Sequence, residues 1–242
     1  MDILQKLKND KEYYSGVGKE YLSNSDICDL LHNPLNFRQP KPDNKNFLYG
    51  RFFHQLLLEP HKCEGWQFVV ANSRNTKLYK EKIEESGVDV LLLDKERVEI
   101  QELKDVMLRN FDFAMDLYKE GNVYEQPAIQ KIKGVMWKGK ADIITPDKVI
   151  DIKTTADISR FKWSARSYNY DSQAYLYQQL FGRPLEFYVI DKGTKVLGKF
   201  IPTPEFIEYG EYKVEQAVKQ YNTYFAEGSI EDVKNFYLKE EL

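Results

Sequence analysis

The sequence predicts an α/β fold in which a central mixed β-sheet is flanked by helices. Three strand-like segments follow one another between residues 123 and 155, and two more lie at 185–191 and 194–202. Segments with a helical periodicity of about 3.6 residues precede and follow them. The chain has 242 residues, 42% of them hydrophobic, which is enough for one sizeable core. We therefore expect a single domain with a helical N-terminal part (about 1–120), a sheet core (about 121–204) and a C-terminal helix (about 205–242).

The composition is typical of an ordinary globular protein. No stretch approaches the roughly 20 consecutive apolar residues of a membrane span, and the start, MDILQKLKNDKEYY, lacks the apolar run of a signal peptide. We therefore expect no membrane association and a cytoplasmic location. Cys28 and Cys63 are the two cysteines of the chain, which excludes a four-cysteine iron–sulfur cluster. The net charge of −3 argues against a wholly basic nucleic-acid binder but allows a local basic groove.

Helices are predicted throughout the N-terminal part. The motif SNSD at 23–26 is typical of a capped helix start. Residues 46–59, NFLYGRFFHQLLLE, are apolar over most of their surface, which predicts a buried helix carrying His54. Residues 72–87 predict a basic loop running into a helix, and residues 94–120 predict one long helix. The apolar side of that long helix is predicted to comprise Val98, Leu103, Val106, Leu108, Phe111 and Met115.

The stretch KGKADIITPDKVIDIKTT, residues 138–155, predicts two strands joined by a turn. Because Pro146 excludes the positive φ that the tightest hairpins need, we expect a four-residue loop from Thr145 to Lys148. Ile144 is then predicted to pair with Val149.

In this register Asp142 lies opposite Asp151, and the alternation of strand side chains places Lys140 and Lys153 on the same face. Like charges facing each other destabilise a sheet, so either the two lysines neutralise the pair or the pair holds a cation. An Asp-x-Lys triplet is also common as a solvent-facing charge pair. Both interpretations are open from spacing alone.

If the pair holds a cation, these residues suit phosphodiester hydrolysis. One or two Mg²⁺ ions activate water and compensate the charge that grows on a phosphate, and Mg²⁺ prefers carboxylate and water oxygens. Asp142 and Asp151 offer such oxygens. The ammonium of Lys153 would orient the attacking water or offset phosphate charge.

The rest of the chain completes the predicted fold. Residues 172–181 predict a helix that ends at Gly182, and the final helix is expected from about 205 to 227.

The motif residues carry a family resemblance. DIKTTADISRF (151–161), preceded by GKAD (139–142) and followed by YNYDSQAYLY (168–177), resembles the PD-(D/E)XK nuclease superfamily. Within it, the sequence is similar to the RecE-type exodeoxyribonuclease VIII group (YqaJ/RecB-like nuclease domains) and, more distantly, to phage lambda exonuclease. The stretch YGRFFHQLLLEP (49–60) resembles the glycine, histidine and Leu-Glu-Pro pattern of that group.

The resemblance implies a metal site and a restriction-endonuclease-like core. Family members hold Mg²⁺ through a histidine, two aspartates and the backbone carbonyl between the second aspartate and the lysine. The corresponding groups here are His54, Asp142, Asp151 and the carbonyl of Ile152. One or two ions per site are expected, with Mn²⁺ as a substitute for Mg²⁺.

Three further residues match the family pattern. Glu125 occupies the position of a carboxylate on the preceding strand, and Gln173 and Tyr177 match a Gln-x-x-x-Tyr helix. The spacing of four places these two side chains on one helix face, where they would contact a phosphate or orient Lys153. The alternatives are an exposed strand glutamate and a core aromatic residue.

An exonuclease of this group must accept any sequence, so its DNA contacts should be made mainly to phosphates. Family members form ring-shaped homo-oligomers around linear double-stranded DNA, and a single-strand annealing protein is a possible partner in a bacterial or phage-infected cell. The candidate basic residues, each of which is also plausible as an ordinary solvated charge, are Arg74, Lys77, Lys80, Lys138, Lys140, Arg160, Lys162 and Arg166.

The leading hypothesis is a Mg²⁺-dependent exonuclease that degrades one strand of linear duplex DNA from the 5′ end and leaves a 3′ tail for recombination. One alternative is a catalytically silent DNA-end-binding or assembly subunit with the same fold. Another is a sequence-specific endonuclease. The CRISPR-associated branch of the superfamily is disfavoured because two cysteines cannot ligate an iron–sulfur cluster.

Overall fold

The computed structural model describes residues 2–238. Helices surround a central sheet, and short 3₁₀ turns connect several of them. The α-helices of the described residues are α1 (Ile3–Leu7), α2 (Asp10–Tyr14), α3 (Asn24–His32), α4 (Lys45–Leu58), α5 (Lys77–Ser86), α6 (Asp94–Arg109), α7 (Phe111–Leu117), α8 (Phe161–Ser167), α9 (Tyr170–Phe181) and α10 (Pro204–Tyr224). The strands are β1 (Phe68–Val69), β2 (Leu92–Leu93), β3 (Val123–Ile132), β4 (Val135–Ile144), β5 (Val149–Thr155), β6 (Leu185–Asp191) and β7 (Leu197–Phe200).

The main sheet has the strand order β3-β4-β5-β6-β7. The β5–β6 pair is parallel and the other three pairs are antiparallel. This mixed sheet with flanking helices confirms the predicted fold class. The two short strands β1 and β2 form a separate parallel pair.

The β4–β5 hairpin has the predicted register next to its turn. Ile144 pairs with Val149, and the backbone N–H of Thr145 donates to the carbonyl of Lys148 at 2.8 Å. Further along, the N–H of Ile152 donates to a carboxylate oxygen of Asp142 at 2.7 Å instead of to a backbone carbonyl. The regular ladder therefore gives way to a side-chain contact where the candidate site begins.

Helices bury both faces of the sheet. On one face, Val149 and Phe187 pack in a cluster with residues of α3, α9 and α10. On the other face, Ile150, Ile152 and Tyr188 pack against α4 and α6. Since strand side chains alternate, Asp151 and Lys153 point to the α9 face of β5.

Two helix predictions are corrected. The predicted helix over 94–120 is two helices, because the Asn110 side chain accepts the N–H of Phe113 at 3.2 Å and caps a new helix. Of the predicted apolar side, Leu103 is buried, whereas Val98, Phe111 and Met115 are more than half exposed. The final helix ends at Tyr224, earlier than predicted, and residues 239–242 of the predicted segment lie outside the described residues.

Within residues 2–238, no helix is both long enough and apolar enough to cross a membrane.

Candidate active site

A cleft of about 2300 Å³ lies beside the edge where β4 and β5 separate. Its walls include parts of α2, α4, α8 and α9 as well as both strands. The predicted site residues His54, Glu125, Asp142, Asp151 and Lys153 all line it. The fold therefore gathers residues that are far apart in the sequence at one solvent-accessible place.

His54 reaches this place from the middle of α4, which is anchored by buried apolar residues such as Phe53 and Leu57. Its Nε2 lies 2.7 Å from the carbonyl oxygen of Ile152, and its Nδ1 lies 3.3 Å from Asp142 Oδ2. Burial opposes the protonated ring, but the Asp142 carboxylate outweighs it and raises the pKa of His54 to about 9. The ring thus links two of the groups expected to bind a metal.

Glu125 joins His54 and Asp142 from the neighbouring strand β3. Ligand atoms of the three side chains lie within 4.8 Å of one another. Glu125 has a φ of +47°, a strained value for this residue type, and it interrupts the regular β3–β4 pairing between Tyr124 and Gln126. Burial and the charge of Asp142 raise the pKa of Glu125 to about 8. The strained backbone and the raised pKa both indicate that the fold holds the Glu125 carboxyl group close to the Asp142 carboxyl group.

Asp142 itself is ionised more easily than an ordinary buried aspartate. Burial opposes its charge, but protonated His54 and Lys153 and the N–H of Ile152 lower the pKa of its carboxyl.

Asp151 and Lys153 form the second part of the site. Asp151 is 2% exposed, and its Oδ2 lies 2.6 Å from Lys153 Nζ. Its Oδ1 accepts a hydrogen bond of 2.5 Å from the Gln173 amide. Burial raises the pKa of Asp151, and the carboxylates raise the pKa of Lys153 against its own burial, so the lysine is protonated near neutral pH. The ammonium also lies 4.9 Å from the ring centre of Tyr170.

Tyr177 stands at the base of the cleft. Its hydroxyl donates to the backbone carbonyl of Lys140 at 2.9 Å. The ring packs so closely on Gly139 that an added Cβ there would lie 3.1 Å from it. Tyr177 therefore fixes β4 against α9, and Gln173 is the member of the Gln-x-x-x-Tyr pair that contacts Asp151.

Arg74 was predicted as a phosphate contact, and the structure contradicts this. Its guanidinium binds both carboxylate oxygens of Glu96, at 3.0 and 2.6 Å, and also the carbonyl of Leu91. Glu96 is 4% exposed, so Arg74 compensates a buried charge. Lys77 and Lys80 are exposed on α5 and are not among the residues that line the cleft, although Glu85 and Ser86 at the end of this helix are.

The phosphate-contact role of Lys138 and Lys140 stays a prediction, and residues of α2 bind both ammonium groups. Lys138 donates to the carbonyl of Tyr13, and burial lowers the pKa of Lys138 to about 8. Lys140 donates to Asp10 Oδ1 at 2.7 Å. Both lysines line the cleft but are less than 10% exposed, and their ammonium groups are already bound within the protein.

The remaining candidates lie around α8. Arg160 is exposed and lines the cleft, Lys162 is exposed outside it, and Arg166 lies over the rings of two α10 aromatic residues. The prediction missed Arg51, which lines the cleft on α4. Its position three residues before His54 was the available signal, since residues at that spacing share a helix face.

The donor set fits a divalent cation. It combines carboxylates, a backbone carbonyl and an imidazole, and the oxygens are ligands that Mg²⁺ and Mn²⁺ favour. The raised pKa of Glu125 has the proximity of Asp142 as one cause, and a bound cation would relieve that repulsion.

Fold and site together define a PD-(D/E)XK-type domain, with two strand carboxylates and a following lysine in a cleft. The chain belongs to the family described as "PDDEXK-like domain of unknown function (DUF3799)", whose model matches residues 31–230. This confirms the superfamily that the motifs predicted, and it supports a nuclease that uses a divalent metal and acts on DNA.

A solved structure shows the same fold. A crystal structure from Eubacterium rectale, described as a "putative exonuclease", matches 97% of this chain and 95% of its own at 20% identity and a TM-score of 0.66. The structure of SSO0001 matches 70% of this chain and 84% of its own at 16% identity, and its TM-score of 0.34 is too low to support an argument. No curated protein matches the sequence.

Proposed function

We propose that this chain is a Mg²⁺-dependent exodeoxyribonuclease that hydrolyses one strand of linear double-stranded DNA from the 5′ end and leaves a 3′ single-stranded tail for recombination. The observation that carries the proposal is the meeting of His54, Asp142 and the Ile152 carbonyl beside the Asp151–Lys153 pair in an open cleft. The polarity rests on the resemblance to RecE-type exonucleases.

His54, Asp142, Asp151 and the Ile152 carbonyl would hold the metal, with Glu125 next to them. A bound Mg²⁺ supplies an activated water and compensates charge on the phosphate. Lys153 stays protonated near neutral pH, so it orients the water and offsets phosphate charge and does not accept a proton. The water oxygen forms a bond to phosphorus, the bond from phosphorus to the 3′ oxygen breaks, and the 3′ oxygen takes up the proton that the water releases.

The other side chains position this machinery. Gln173 fixes Asp151 through its amide hydrogen bond, and Tyr177 fixes β4. Arg51 and Arg160, which line the cleft, are proposed phosphate contacts. By the same resemblance, we propose that the protein acts in the cytoplasm as a ring-shaped homo-oligomer and hands the tail to a single-strand annealing protein.

The test is digestion of linear duplex DNA labelled at either the 5′ or the 3′ end, with Mg²⁺. Wild type should release the 5′ label early as mononucleotide, whereas Asp151→Ala and Lys153→Ala should not. Lys119→Ala, which removes an exposed lysine outside the cleft, is the matched control and should cut like wild type.

Three results would contradict the proposal. Undiminished cutting by the two site variants would mean that the site is placed wrongly. Discrete fragments from circular plasmid would indicate an endonuclease. Binding of DNA ends without cutting in either Mg²⁺ or Mn²⁺ would indicate the silent subunit.

A further inference from the structure

An exposed aromatic side chain stands on the cleft wall near Lys153. Tyr168, directly after α8, lines the cleft and is 66% exposed. Its ring centre lies 5.9 Å from that of Tyr170 at an interplanar angle of 37°, and the ammonium of Lys153 lies 4.9 Å from the Tyr170 ring. Aromatic surface therefore extends from solvent to the lysine that we place beside the scissile phosphate.

The backbone that carries this ring is firmly held. Asn169 adopts a left-handed conformation with φ of +57° and is 6% exposed. Its side-chain oxygen accepts from Lys213 at 2.9 Å, and its carbonyl accepts from Asn24 at 3.0 Å and from Ser172 at 2.9 Å. The N–H of Tyr168 donates to the carbonyl of Ser164 at 2.9 Å. An exposed ring on a fixed backbone loses little conformational freedom when it binds a flat partner.

The packing of the neighbouring aromatic residues does not depend on Tyr168. Tyr170 is itself packed on Phe187 at 5.4 Å and on Phe161 at 5.8 Å. Tyr168 covers only the outer side of Tyr170, so packing alone does not account for an aromatic residue at this exposed position.

We propose that Tyr168 is a stacking platform for the nucleobase of an unpaired nucleotide at the DNA end. An aromatic ring stacks on any of the four bases, which suits an enzyme that must accept every sequence. Arg160 lines the same cleft and supplies a cation for an adjacent phosphate. The inference rests on the proposed function for its ligand, DNA, and adds that the site favours a frayed end over a fully paired one.

The experiment measures binding without cleavage, in EDTA. The probe is a duplex with an unpaired terminal 2-aminopurine, whose fluorescence is quenched when it stacks on an aromatic ring. Wild type and Tyr168→Phe should quench it, whereas Tyr168→Ala and Tyr168→Leu should not. Loss of one stacked base predicts that these two variants bind the frayed duplex about 5- to 100-fold more weakly.

The matched control is Trp163→Ala. Trp163 is 70% exposed on α8 but is not among the residues that line the cleft, so its removal should leave both quenching and affinity unchanged. Thermal unfolding of Tyr168→Ala should match wild type because the ring is exposed.

The proposal is overturned if wild type causes no quenching, if Tyr168→Leu quenches as wild type does, or if Trp163→Ala loses as much affinity as Tyr168→Ala. Failure of the proposed nuclease function would be recognised separately, as absence of product with Mg²⁺ from both frayed and fully paired duplex.

Discussion

The replacement Gln173→Ala tests whether the cleft is a metal site that depends on its supporting hydrogen bonds. The Gln173 amide donates to Asp151 at 2.5 Å, and both residues are less than 10% exposed. A hydrogen bond to a charged group contributes about 1.5–3 kcal/mol, and about 1.4 kcal/mol corresponds to a tenfold change in binding. Since outer partners of metal ligands typically change metal affinity or activity by about 10- to 100-fold, we expect the Mg²⁺ requirement to rise by at least about tenfold.

The assay is cleavage of end-labelled linear duplex over a series of Mg²⁺ concentrations, which gives the concentration for half-maximal rate. Gln179→Ala is the control, because Gln179 is an exposed glutamine on the same helix. It should leave the Mg²⁺ midpoint unchanged. If Gln173→Ala has the midpoint and maximal rate of wild type, Asp151 does not need this orientation and the metal role assigned to it is wrong.

Three other predictions concern stability and pH. Arg74→Ala should lower the free energy of unfolding by about 2–3 kcal/mol, because buried Glu96 loses its main partner, and should leave DNA affinity unchanged. Urea unfolding and a DNA-binding titration check this. Reduced DNA affinity at wild-type stability would restore the phosphate-contact role. The Mg²⁺ concentration for half-maximal cleavage should fall as pH rises from 6.5 to 9, since protons compete with the metal for ligands such as His54, whose pKa is about 9. If this concentration did not depend on pH, the proposed ligand set would be wrong. Gly210→Ala would place a Cβ 2.0 Å from the carbonyl oxygen of Asp171 and should lower the free energy of unfolding by about 1–3 kcal/mol or more, as measured in urea. The control Gly50→Ala meets open space and should not destabilise the protein. Equal stability of the two variants would disprove the close approach of α9 and α10.

The hairpin that carries the candidate site could be predicted from the sequence because its determinants are local. Pro146 restricts the turn, and the alternation on either side fixes which residues share a face. The predicted pairing of Ile144 with Val149 is confirmed. His54 needed the family resemblance, because its partner Ile152 lies 98 positions away and nothing within the helix specifies where it docks.

The partners of the basic residues were missed because they are distant in the sequence. Lys138 and Lys140 are bound by residues 125 and 130 positions away in α2, and a basic residue on a strand carries no local sign of such a partner. Arg74 likewise pairs with Glu96 across an intervening helix. The break at Asn110 could have been predicted, since an asparagine with an acidic residue two positions later, Asp112, is a helix N-cap pattern. The helical periodicity of residues 94–120 concealed it.

From the charges of the site we propose that one divalent ion binds before DNA arrives. Near pH 7 His54 and Lys153 are protonated beside the Asp142 and Asp151 carboxyl groups, and Glu125, with a pKa of about 8, holds its proton. When a divalent ion displaces the protons of His54 and Glu125, two positive charges leave and two arrive, so the net charge of the cluster does not change. A second ion would add two charges with no local compensation, and burial makes that unfavourable. The phosphates of bound DNA supply the missing negative charge, so a second ion is expected to bind only together with the substrate.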